Sequence, residues 1–137
     1  MIKKILVGTD TSASADLAVT AAAELARKND AELLVLYVKP RHGAREAFDP
    51  KKAPDPSRYL HGLSRRFPGV RTATRQSEGD DPARVITEVA AEERSDLVVV
   101  GNRGAGDRRR FGAERVPNAV VRSSPCSVLV VDTRAAQ

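Results

Sequence analysis

The fold is decided by one stretch, Asp96-Leu-Val-Val-Val-Gly101-Asn-Arg-Gly104. Its four consecutive aliphatic residues are typical of a strand buried on both faces, as in a parallel sheet. The Gly-x-x-Gly that follows predicts a tight turn. Because glycine lacks a Cβ, backbone N–H groups in such a turn can approach an anion, and a following helix N-terminus favours negative charge. The stretch indicates a turn suited to phosphate, and a sharp turn without any ligand explains the same residues.

The composition is that of a single globular domain without disulfides or a membrane-spanning segment. Its 137 residues fit a single domain, which we expect over residues 1–137, and aromatic residues make up only 4%, so the core must be aliphatic. One Cys allows no internal disulfide, and no segment approaches the roughly 18 apolar residues that cross a bilayer. Met1 leads into an apolar strand without a signal peptide, so we predict a cytoplasmic protein with no membrane partner.

The positive charge is concentrated near the Gly-x-x-Gly turn. The net charge is +5, and the segment from Gly101 to Arg122 holds six arginines against one Asp and one Glu. Such a basic segment attracts polyanions, but it lacks alternating aromatic side chains that would stack on bases, so we do not predict a nucleic-acid partner. The arginines are Arg103, Arg108, Arg109, Arg110, Arg115 and Arg122.

The first part of the chain predicts a strand, a helix and a second strand. Ile2–Val7 is a mostly apolar run, and Ser12 or Ser14 can cap a helix whose apolar spacing continues to about Lys28. Leu33–Val38 is the second buried strand. A unit of this kind is right-handed, and its two strands are parallel.

Residues 39–57 are predicted to form a long loop because they are rich in Pro and charge and have no periodicity. Loops of this length are lids, binding loops or disordered insertions, and disorder without function stays open. Ser57 is expected to cap a short helix, and residues 70–76 form the weakest strand, as at a sheet edge.

The second part of the chain repeats the alternation of helices and strands. Pro82 opens a clear amphipathic helix that leads to the Asp96 strand. A last helix is expected from about Glu114 to Ser123, followed by a strand at Ser127–Val131. The aliphatic residues of the strands, including 128–130, are expected to be buried, and the tail 132–137 is expected to fray.

Several short motifs are spread along nearly the whole chain. Their order and spacing resemble those of the universal stress protein family. The resemblance implies an α/β fold, a single doubly wound five-stranded parallel sheet of order 3-2-1-4-5 with helices on both faces. The strand order then reverses between strands one and four, where a ligand crevice forms. The motifs are Val7-Gly8-Thr9-Asp10, Gly79-Asp-Asp-Pro82, Val100-Gly101-Asn-Arg-Gly104, Val116-Pro-Asn118 and Pro125-Cys-Ser-Val-Leu-Val-Val131.

The resemblance also implies an adenine nucleotide, ATP or AMP, and the residues beside it. Those expected around the adenosine are Thr9, Asp10 and Val38. Those expected along the phosphates are Gly101, Arg103 and Gly104. For Asp10, its sequence position fits a second role equally well, as a turn residue that caps the first helix.

The chain departs from the family in the second half of the phosphate motif. Nucleotide-binding members carry Gly-x-x-Gly, nine residues, and then Gly followed by Ser or Thr, whereas this chain has Glu114 and Arg115 there. A carboxylate at a helix N-terminus competes with phosphate for the positive end of the dipole. We therefore expect weak ATP binding or no bound nucleotide, and the alternative is that Arg115 and Arg108–Arg110 replace the missing pair.

The sequence does not predict catalysis. His42 and His61 lack neighbouring carboxylates at ligand spacing, and Cys126 fits a small core residue, so we predict no catalytic residues and no metal site. The resemblance and the apolar strand at 127–131 indicate a stress-response regulatory protein that forms a homodimer through its last strand. The alternatives are a nucleotide-free scaffold and an ATP- or AMP-binding sensor or slow ATPase.

Overall fold

The computed structural model of the chain describes residues 1–41, 55–102 and 115–133. Most of the predicted 39–57 loop and three of the predicted site residues, Arg103, Gly104 and Glu114, lie outside these ranges. Strands and helices alternate in the described part. Their bounds are β1 Lys4–Thr9, α1 Ala13–Asn29, β2 Glu32–Lys39, α2 Pro56–Arg66, β3 Arg71–Glu78, α3 Pro82–Glu92, β4 Leu97–Gly101, α4 Arg115–Ser123 and β5 Ser127–Val131.

The five strands form one parallel sheet in the order β3-β2-β1-β4-β5, which confirms the predicted fold. The order reverses between β1 and β4. Their paired residues end at Val7 and Val99, although β1 continues to Thr9 and β4 to Gly101. By contrast, β1 stays paired with β2 as far as Thr9 and Tyr37. The gap at the carboxyl edge therefore opens between β1 and β4.

Side chains that alternate along the strands supply two cores, one on each face of the sheet. The first packs under α1 and α2, and the second packs under α3 and α4. Alanines along α1 let that helix lie close to the sheet, and Ala18 and Ala22 are fully buried. The buried strand residues are Ile5, Val7, Leu33, Val35, Leu97 and Val99 in the first core and Leu6, Leu36, Val98 and Val100 in the second.

The N-terminal cap of α1 is one of the two residues predicted from the sequence, whereas the cap of α2 is not the predicted residue. Ser12 caps α1, since its side chain accepts a hydrogen bond from the Ala15 N–H, whereas Ser14 is buried. The prediction that Ser57 caps α2 is wrong. Asp55 is the cap and accepts a hydrogen bond from the Ser57 N–H, because Pro56 takes the first helical position, where its missing N–H costs nothing.

The two edges of the sheet have different character. The polar strand β3 is an edge strand, as predicted, but the prediction that residues 128–130 are buried is wrong. Leu129 is 37% exposed and Val130 is 40% exposed, because β5 has a neighbouring strand on one side only. The prediction that the tail 132–137 frays is also wrong for Thr133, which has no exposed surface.

Candidate functional site

The described site residues meet at the carboxyl edge of the sheet. Thr9 ends β1 and Asp10 follows it, Val38 lies near the end of β2, and Gly101 ends β4. Because β2, β1 and β4 are neighbours in the sheet, these residues lie along one edge, at the gap where β1 and β4 separate. Ligands of doubly wound sheets bind in such a crevice. Arg115 is the first residue of α4.

Asp10 orders the loop that enters α1. Its Oδ1 accepts hydrogen bonds from the Ser12 N–H at 3.0 Å and from the Ser12 hydroxyl at 2.5 Å. Asp10 is therefore a turn residue, as expected, but the expectation that it caps α1 is wrong, because the cap is Ser12. Burial of the phenol and then the negative charge of Asp10 raise the pKa of Tyr37, near the end of β2. A carboxylate accepts hydrogen bonds through two oxygens, so the turn role leaves acceptor capacity for a ligand.

The next residue, Thr11, has a strained backbone. Its φ is 69°, in the left-handed region that β-branched residues rarely enter. The side chain is buried, and the Thr11 N–H donates to the Thr9 hydroxyl oxygen at 2.9 Å. Strain of this kind persists where the surrounding structure holds it, and it is frequent at binding sites. The loop at the end of β1 is thus held in one conformation.

On the other side of the gap, the end of β4 packs against the residues that follow β5. A Cβ added to Gly101 would lie 2.9 Å from Cγ2 of Thr133, too close for any side chain. The Asn102 Oδ1 accepts hydrogen bonds from the N–H and the hydroxyl of Thr133 at 3.0 and 3.2 Å. Gly101 therefore has a packing role that does not depend on phosphate. Sequence reasoning missed Thr133, and the polar Ser14 on a buried helix face was the one available signal.

A second polar network joins α2 to the start of α1. Asp16, in the first turn of α1, accepts a hydrogen bond from the Tyr59 hydroxyl at 2.5 Å and two from Arg66 at 2.6 and 3.1 Å. Burial of Asp16 acts to raise its pKa, but the hydrogen bonds from Arg66 and Tyr59 outweigh that effect and hold the pKa below its ordinary value. Burial and the adjacent Asp16 raise the pKa of Tyr59.

Within residues 1–41, 55–102 and 115–133, no three His, Cys, Asp or Glu side chains come together as metal ligands. Among those same residues, no helix has the length and apolarity to traverse a bilayer. A cavity of about 270 Å³ lies at the amino-terminal ends of the strands, beside Lys4, Glu32 and Arg71. None of the predicted site residues lines it.

Comparisons with known proteins agree with this architecture. Residues 1–132 match the universal stress protein family. A Staphylococcus saprophyticus protein named as a universal stress protein is 31% identical, over 96% of this chain and 84% of the relative. A solved universal stress protein in complex with cAMP is 25% identical with a TM-score of 0.74, over 96% of this chain and 98% of that one. One from Lactobacillus plantarum is 25% identical with a TM-score of 0.73, over 95% and 97%. The chain therefore belongs to the universal stress protein family.

Proposed function

We propose that this protein is a cytoplasmic, dimeric stress-response regulator of the universal stress type, and that it binds adenine nucleotides weakly in the gap between β1 and β4. The observation that carries the proposal is the separation of these strands beyond Val7 and Val99, with Thr9 and Asp10 on one side and Gly101 on the other. The similar universal stress protein with bound cAMP supports an adenine nucleotide as the ligand.

The weakness of binding follows from the start of α4. The described part of this helix starts at Arg115, and Glu114 precedes Arg115 in the sequence. The N-terminal N–H groups and the helix dipole favour an anion there, and the Glu114 carboxylate competes with a phosphate for them. Binding energy is then expected mainly from the adenosine, through Thr9, Asp10 and Val38.

A second candidate is a tight ATP or AMP sensor, or a slow ATPase. The observation in its favour is the excess of arginine between Gly101 and Arg122, which carries six arginines against two acidic residues. Arginine forms charge-assisted, bidentate hydrogen bonds with phosphate. In this second candidate function, the arginine-rich segment replaces the missing Gly-Ser pair of the phosphate motif.

One pair of measurements separates these functions. Purified protein is denatured and the released small molecules are identified by mass spectrometry, and the native protein is titrated with adenosine, AMP and ATP while backbone amide NMR signals are followed. Weak binding predicts no co-purified nucleotide and saturable shifts at Thr9, Asp10 and Gly101. Co-purified ATP or AMP would favour the sensor, and an absence of any saturable shift would leave the nucleotide-free scaffold.

A further inference from the structure

The end of β1 and the start of α1 lie in a closed ring of hydrogen bonds that includes one residue of α2. We call Thr9, Asp10, Ser12, Asp16 and Tyr59 the Tyr59 ring. The Tyr59 hydroxyl donates to Asp16 Oδ1 at 2.5 Å, and the Thr9 hydroxyl forms a hydrogen bond with that of Tyr59. The Asp16 N–H donates to the Ser12 carbonyl at 2.9 Å, and Ser12 donates twice to Asp10 Oδ1. The ring closes because Asp10 follows Thr9 in the chain.

The contribution from α2 is fixed by packing. Tyr59 packs against the first core, and Arg66, also of α2, donates to Asp16 at 2.6 and 3.1 Å. Because the Tyr59 hydroxyl uses its one hydrogen on Asp16, the Thr9 hydroxyl is the donor in its bond with Tyr59. The position of α2 therefore determines where the Thr9 hydroxyl points.

The loop inside the ring contains the strained residue Thr11. Its φ is 69°, and its N–H donates to the same Thr9 hydroxyl oxygen at 2.9 Å. A strained backbone residue costs about as much free energy as one hydrogen bond to a carboxylate contributes. Loss of the Tyr59 hydroxyl is therefore expected to bring a relaxed loop conformation to a population similar to that of the strained one. The Asp10 carboxylate would then border the gap in only part of the molecules.

We propose that Tyr59 is a positioning residue for the gap between β1 and β4. It acts through Thr9 and Asp16 and holds the loop after β1 in the conformation that a ligand meets. The gap is a ligand crevice by its topology, since β1 and β4 separate there at the carboxyl edge of a doubly wound sheet. The effect on adenosine rests on the proposed function, whereas the effect on the loop requires no ligand.

Two substitutions in α2 separate the hydroxyl from the stability of the helix. Tyr59→Phe keeps the aromatic ring in the first core and removes the hydroxyl. Asp55→Ala is the matched control, because it removes the cap of the same helix and leaves the Tyr59 hydroxyl in place. The ¹³Cα and ¹³Cβ chemical shifts of Thr11, which report its backbone conformation, are measured without ligand. Dissociation constants for adenosine and AMP are then measured by NMR titration at one salt concentration, well below the unfolding temperature of each variant.

In Tyr59→Phe, the Thr11 shifts are expected to move away from those of a left-handed residue. A binding-competent fraction between about a half and a tenth weakens a ligand about two- to tenfold, and we expect a loss of that size for adenosine. AMP should lose affinity by the same factor, because it shares the adenosine. Asp55→Ala should keep the wild-type shifts of Thr11 and the wild-type affinities, although it is less stable. A merely structural role of Tyr59 would move neither quantity.

The contrary outcomes are distinct. Wild-type Thr11 shifts in Tyr59→Phe, or equal losses of affinity in Tyr59→Phe and Asp55→Ala, would overturn the inference and leave the proposed function standing. Unchanged adenosine affinity despite moved Thr11 shifts would overturn the positioning of the ligand. A wild type that binds neither adenosine nor AMP would overturn the proposed function, and the Thr11 shifts would still decide whether Tyr59 holds the loop.

A second pair of variants opens the ring at its other end if Tyr59→Phe does not fold. Thr9→Val removes the hydroxyl that donates to Tyr59, whereas Thr9→Ser keeps it. The inference then requires that the amide signals of Asp10 and Ser12 move in Thr9→Val and stay at their wild-type positions in Thr9→Ser. Signals that move equally in both variants would overturn it.

Discussion

At the scale of the residue, Asp16 connects local hydrogen bonding to pH. Its pKa is lowered in the folded chain because the hydrogen bonds from Arg66 and Tyr59 outweigh the opposing effect of burial. A carboxyl with a lowered folded-state pKa stabilises the fold above its unfolded pKa of about 3.9. That contribution is lost as the pH falls through the folded-state value. The network is therefore expected to support the fold at neutral pH and to fail in acid.

The substitution Asp16→Asn tests this expectation. We expect it to lower the free energy of unfolding by about 1–2 kcal/mol at pH 7, because charged hydrogen bonds are lost at a partly exposed site. Urea unfolding at a series of pH values should show the difference from wild type shrinking below about pH 4. Glu88→Gln, which removes the exposed partner of Arg84, should change stability by less than about 0.5 kcal/mol. A loss that is the same at every pH would contradict the role of the charge.

A second residue-scale prediction concerns the altered phosphate motif. The double substitution Glu114→Gly with Arg115→Ser restores the family spacing after Gly101 and Gly104. Because it removes a competing carboxylate and adds backbone and hydroxyl donors, we expect ATP to bind about 10- to 100-fold more tightly, after the cost of ordering the loop. Glu114→Gly alone should give part of the gain. Calorimetric titration at one salt concentration measures both.

The outcomes for the wild type in that titration are also informative. Tight ATP binding by the wild type would mean that the arginine-rich segment replaces the motif. Binding by neither protein would mean that the gap near Thr9, Asp10 and Val38 does not accept adenosine.

The residues of the site differ in how far the sequence could predict them. The positions of Thr9, Asp10 and Gly101 along one edge of the sheet were predictable, because each comes one to three residues after an apolar run and a parallel sheet brings the ends of such runs to one edge. The Asp16–Arg66 pair spans 50 residues of sequence. The Ser14–Thr133 bond spans 119 residues, and neither partner carries a local pattern that indicates the other. Long-range polar contacts of this kind depend on exact packing, which periodicity does not contain.

At the scale of the element, the start of α2 offers a test between two candidate caps. Asp55 accepts a hydrogen bond from the Ser57 N–H at 2.9 Å, whereas the Ser57 hydroxyl contacts Gln76 at 3.3 Å. We expect Asp55→Ala to destabilise the protein by about 1 kcal/mol, as loss of a helix cap does, and Ser57→Ala to have little effect. Thermal unfolding followed by circular dichroism measures both. The reverse order would restore the prediction made from the sequence.

The error at this cap has a physical origin. Both Asp and Ser are good caps, and the sequence Asp55-Pro56-Ser57 allows either. Proline favours the first helical position, which places the cap one residue earlier than Ser57. Strand positions were more predictable, because apolar runs such as Leu97–Val100 leave little freedom in where the buried backbone lies.

At the scale of the whole molecule, the two edges of the sheet predict how copies associate. The outer strand β5 exposes Leu129 and Val130, and the exposed Val121 lies on the adjacent helix α4. An apolar edge of this kind is usually paired or covered. We predict a homodimer through β5, observed as a dimeric mass by light scattering at micromolar concentration.

Matched substitutions on the two edges test the dimer. Val130→Lys should give a monomer, because a charge in the paired surface must lose its water. Thr74→Lys, on the exposed polar edge strand β3, should leave the dimer intact. A wild type of monomeric mass, or a monomer produced by Thr74→Lys alone, would contradict pairing through β5.

The burial of β5 could not be read from its residues alone. Ser127–Val131 is as apolar as the central strand β4, yet the side chains of β4 are buried while Leu129 and Val130 are not. Burial depends on the position of a strand in the sheet and on what covers it, and both are properties of the assembled fold. The strand order itself was predictable through the family resemblance.

The burial of Thr133 also determines where a tag can be attached to the protein. Met1 is fully exposed, so an affinity tag or fluorophore at the amino terminus lies away from packed structure. A fusion at the carboxyl terminus begins only four residues beyond Thr133, whose hydrogen bonds hold Asn102 beside the gap. A bulky carboxyl-terminal fusion is therefore expected to disturb ligand measurements, and amino-terminal attachment is the sound choice for every titration.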